Sequence, residues 1–119
     1  MISIIKAQEI VKYLSDYFQI EEPKVKFGKS NSKRCWYYPL SNEISLGRNH
    51  ANNDCVLHEF THGLVKKQGG NPITHGDMFA IQLFKVVDYF YKGKPNKYGW
   101  RWDYPNIFKF YKSLNNKEK

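Results

Sequence analysis

Ala7, Ile10, Val11, Leu14, Tyr17 and Phe18 recur at three- and four-residue intervals, which places them on one face of a helix from about Ala7 to Phe18. Pro23 lies beyond its end. The period then changes. Lys24-Val25-Lys26-Phe27 alternates and predicts a short strand. Cys35-Trp36-Tyr37-Tyr38 is rich in strand formers and is closed by Pro39, and Ile44-Ser45-Leu46 is a third strand that stops at Gly47. Gly28 to Lys33 and Ser41-Asn42 are polar and turn-like.

Helical spacing returns after residue 52. Asn52 or Asn53 can cap a helix whose buried face is Leu57, Phe60 and Leu64, with Asp54 near its positive end. Lys66 and Lys67 occupy its last turn and Gly69-Gly70 ends it. Thr74-His75-Gly76-Asp77 has the Thr-x-x-Asp form of a capping signature, which predicts His75 in the first turn of a further helix. Phe79, Leu83, Val86, Val87 and Phe90 are that helix's apolar face, and Gly93 stops it. The order predicts an α+β fold in one domain over residues 1–112. It has an N-terminal helix, a small three-stranded, mostly antiparallel sheet and two long helices. Residues 113–119 form a frayed tail.

Composition narrows the class. Of 119 residues, 41% are hydrophobic and 17% aromatic, enough for a modest core rather than a disordered chain. Two cysteines, Cys35 and Cys55, make neither a disulfide framework nor a four-cysteine zinc ribbon. They read as free, partly buried thiols, and the expectation for the compartment is cytoplasmic. The N-terminal apolar run is interrupted by Lys6 and Glu9, which argues against a signal peptide. No stretch reaches the length of a membrane span. The net charge of +8 favours acidic partners such as DNA, though a solvated basic surface accounts for it equally well.

The chemistry sits in His58-Glu59-Phe60-Thr61-His62, an H-E-x-x-H pattern. Positions i and i+4 share one helix face, so two imidazoles can converge on one cation at about 2.0–2.1 Å each. Glu59 points slightly off that axis and can take a proton from a metal-bound water, whose pKa zinc lowers to roughly 7. The pattern arises by chance in roughly a few chains per thousand of this length. A catalytic zinc site needs a third ligand and an open position. Val65 and Gln68 stand where a metzincin would have Gly and His, and the only later Glu is Glu118. The candidates are His75, Asp77, Asp88 and Asp103. His75 is favoured, because twelve residues separate it from His62, enough to end one helix and return alongside it. Cys55, one turn before His58, reads as a small buried residue before it reads as a ligand. His50, Tyr98 and Arg101 are candidates for oxyanion stabilisation.

His58-Glu59-Phe60-Thr61-His62 followed by His75-Gly76-Asp77-Met78-Phe79 resembles the SprT-like zinc metallopeptidases. Those carry H-E-x-x-H and then a third histidine in an H-G-x-x-F/W setting, a layout shared with Spartan and WLM-type proteases. Ile44-Ser45-Leu46 resembles the family's strand before the active-site helix, and the likeness spans roughly residues 43–84. It implies a zincin-like core, Zn2+ on His58, His62 and His75, Glu59 as general base, and hydrolysis of a protein or peptide substrate, in some members one bound to DNA. Larger members carry a four-cysteine zinc ribbon, which this chain lacks. Two other readings compete. One is a nucleic-acid-binding domain with a structural or vestigial zinc, suggested by the charge and by Trp100-Arg101-Trp102, whose rings could stack on unpaired bases. The other is a metal-dependent hydrolase of non-peptide substrates.

Overall fold

A computed structural model describes residues 2–28, 34–48, 51–99 and 113. The chain divides into two compact units, Met1–Ile73 and Thr74–Lys119. Among the described residues the elements are α+β: three helices, a three-stranded sheet and one 3-10 turn.

In the first unit, α1 (Ile4–Phe18) begins three residues earlier than the apolar spacing predicts. Ser3 is the reason. Its hydroxyl accepts the Lys6 amide at 3.1 Å and satisfies one of the orphan donors of the first turn. Ala7, Ile10, Val11 and Leu14 are buried as expected, whereas Tyr17 is largely exposed. The helix ends on Gln19 in the left-handed region.

β1 (Lys24–Phe27), β2 (Trp36–Tyr38) and β3 (Glu43–Leu46) pair in the order β1-β3-β2. β2 and β3 form an antiparallel hairpin with Tyr37 opposite Ile44. β1 pairs parallel to β3, Val25 opposite Ile44. The sheet is therefore mixed, not mostly antiparallel. The chain places β2 on one edge of β3 by a tight turn and leaves the other edge to β1, which runs in the same direction as β3. Register partners share a face, so Val25, Tyr37 and Ile44 line the inner side. Lys24, Trp36, Tyr38 and Glu43 line the outer side, where Lys26 pairs with Glu43 at 2.8 Å.

α2 (Asn53–Lys67) packs on β2, β3 and α1. Its ends are those expected. The Asn52 side chain accepts the Cys55 amide at 3.0 Å, a cap worth about 1 kcal/mol. At the other end Gly70 N bonds Val65 O and Gly69 N bonds Lys66 O, both at 3.0 Å. That is a Schellman closure, and Gly69 supplies its positive φ of 82°. Lys66 Nζ donates to Pro39 O in the β2–β3 turn. Gly63 admits the Tyr37 ring, since a Cβ there would lie 3.3 Å from it.

In the second unit, α3 (Asp77–Phe90) buries Phe79, Ala80, Leu83, Val86 and Val87. Its N-cap is Gly76, with no side-chain cap bond. Thr74 is thus not the cap, and His75 precedes the helix instead of lying in its first turn. Gly76 O takes the Ala80 amide at 3.0 Å and opens the helical ladder. A 3-10 turn, Pro95–Lys97, follows, and Tyr98 after it is buried. Among the described residues no helix is long and apolar enough to cross a membrane. The tail expected to fray, 113–119, lies outside the described residues apart from Ser113.

Candidate metal centre

α2 presents the two histidines of the motif. The rings of His58 and His62 stand 5.1 Å apart, centroid to centroid, at 68°, one turn apart on one face, as the i, i+4 spacing requires. His62 is buried and His58 half-buried. Around them α2 is closely packed. From Val56 to Val65 every residue but His58 is buried. Thr61, fully buried, has its hydroxyl satisfied by Leu57 O at 2.7 Å. Glu59 is 6% exposed, a carboxylate held inside the unit beside the first histidine.

His75 is half-buried just before α3, its ring edge-on to Phe79 at 4.8 Å. One ring nitrogen from each of His58, His62 and His75 lies within 4.8 Å of the others. Three imidazole nitrogens around one zinc stand about 3.3 Å apart, so the three histidines lie close enough to bind a metal ion. Their chemistry fits too. Neutral imidazoles suit zinc and other borderline divalent ions, and three protein donors leave a fourth position open. Asp77 is exposed and Asp88 half-buried on α3. Among the described residues neither belongs to the group of donors that converge. His50, Asp103, Glu118, Arg101 and the Trp100-Arg101-Trp102 segment lie outside the described residues.

Cys55 lies in the first turn of α2 and is half-buried. The two free thiols, Cys35 and Cys55, hydrogen-bond to each other. Cys35 flanks β2, and its sulfur also accepts the Gly47 amide at 3.5 Å. The bond from Cys35 pulls the Cys55 thiol down to about 6, against the opposing effect of burial. The bond to Cys55, then burial, push Cys35 up. Nineteen residues of sequence separate the pair, so spacing alone offered no signal for it.

Comparison with family models, with curated proteins and with solved structures finds no match to this chain.

Proposed function

We propose that the protein is a zinc-dependent metallopeptidase of SprT-like type, with His58, His62 and His75 as the metal ligands and Glu59 as the general base. The observation that carries this reading is the convergence of the three histidine nitrogens within 4.8 Å, with a buried carboxylate next in sequence to the first of them. Bound zinc would supply a Lewis acid and lower the pKa of its water to about 7.

The chain's own groups divide the remaining work. The Glu59 carboxylate accepts the proton of the attacking water and returns it to the leaving amine. Burial of Glu59 and His62 keeps that proton transfer away from bulk solvent, where it would be less directed. His58 and His62 ride on a helix pinned at both ends, so the angle between their rings is held by α2 and not by a loop. The net charge of +8 supports acidic protein substrates, including proteins held on nucleic acid.

The test is metal analysis together with casein cleavage, using Glu59→Gln and His75→Ala. Glu59→Gln should keep its metal and its fold while activity falls by at least about a hundredfold. His75→Ala should lose metal. Unchanged turnover in Glu59→Gln would remove the assigned base.

A further inference from the structure

Cys35 and Cys55 come from different elements, yet the fold sets their sulfurs against each other. Cys35 leads into β2 and Cys55 stands at the third position of α2, the helix that packs on β2 and β3. The sulfurs hydrogen-bond, and both residues are half-buried, not sealed. Two other bonds hold them in place. The Gly47 amide donates to the Cys35 sulfur, and the Asn52 side chain fixes the Cys55 backbone. Among the described residues neither thiol belongs to the group of donors that converge.

We infer that Cys35 and Cys55 form a reversible disulfide, a redox site that fastens the start of β2 to the first turn of α2. A disulfide needs its sulfurs at about 2.05 Å. The two side chains already interact, and rotation about their side-chain bonds is the movement that closes the remaining gap. Cys55 is the attacking sulfur. It sits in the first turn of a helix and receives a hydrogen bond from its partner, both of which favour thiolate.

The oxidant is a small disulfide such as oxidised glutathione. The Cys55 thiolate attacks one glutathione sulfur, the glutathione S–S bond breaks, and one reduced glutathione leaves. Cys35 loses its proton and attacks Cys55 Sγ in the mixed disulfide. The second glutathione leaves, and the Cys35–Cys55 bond remains. Two electrons and two protons pass from the protein to the oxidant, and a dithiol reductant reverses both steps. The inference stands independently of the metal reading, since neither step involves a histidine.

The experiment is intact-mass spectrometry and peptide mapping of the whole chain after exposure to oxidised glutathione, then dithiothreitol. The wild-type protein should lose two hydrogen atoms in mass, give one peptide joining Cys35 to Cys55, and return to its starting mass on reduction. Cys35→Ser should stop at a single glutathione adduct on Cys55. Cys55→Ser should take up glutathione at Cys35 at least about tenfold more slowly. Closing the bond should raise the thermal midpoint by on the order of 10 °C. Wild-type protein that carries two glutathiones, stays unmodified or crosslinks between chains would overturn the inference, whatever the variants do.

Discussion

Tyr37 joins three parts of the first unit. Its backbone pairs with Ile44, its ring fills the space above Gly63, and its hydroxyl donates to Asn42 Oδ1 at 2.6 Å. Burial, then the nearby Glu21 carboxylate, raise its pKa above the usual value near 10. A group whose folded pKa exceeds its unfolded one adds stability that is complete below the unfolded pKa and lost as pH rises through the folded one. Tyr37→Phe should therefore cost about 1 kcal/mol at neutral pH, the worth of the hydroxyl's bond. The gap in thermal midpoint between variant and wild type should shrink as pH climbs past about 10. A gap that stays constant to high pH would contradict this account. None of these ties was legible beforehand. Asn42 reads as a turn residue from its neighbours, but its partner five residues away is set by how the hairpin folds.

At the scale of the element, α2 and its ends were the most readable feature, because caps and closures use residues within a few positions of one another. Asn52 and Gly69-Gly70 are where local chemistry puts them. The same reasoning placed the start of α1 too late, because the apolar face begins after the helix does and Ser3 is the better marker. It credited Thr74 with a cap that Gly76 takes. The parallel partnership of β1 and β3 was beyond it, since pairing between distant strands depends on packing and not on either strand's own pattern. Gly63 is the least expected part of α2. A glycine inside a helix costs about 1 kcal/mol relative to alanine, and the approach of Tyr37 explains why it stands there. Gly63→Val should lower stability to urea by about 2 kcal/mol or more through overpacking against that ring. A neutral result would mean that Tyr37 has somewhere else to go.

Over the molecule as a whole, the motif histidines were legible because helical spacing alone aligns them. His75 needed the longer argument that a third donor must exist and that few residues can supply it. Three donors that lie close enough to hold an ion, in a protein that loses that arrangement on unfolding, couple metal to stability. Zinc at about a thousand times its dissociation constant should add about 4 kcal/mol. In thermal melts the midpoint should rise with zinc and fall back with a chelator. His58→Ala, His62→Ala and His75→Ala should each abolish the rise. A zinc-independent midpoint in the wild-type protein would rule out a folded-state site.

Helices that are wet along one side open by fraying, turn by turn. α2 is covered from Val56 to Val65 except at His58, so it has no such side from which to peel. Its central amides should trade hydrogen for deuterium only when the whole unit comes apart, later than those of any strand edge. The arrangement of His58 and His62 then lasts as long as the folded unit itself.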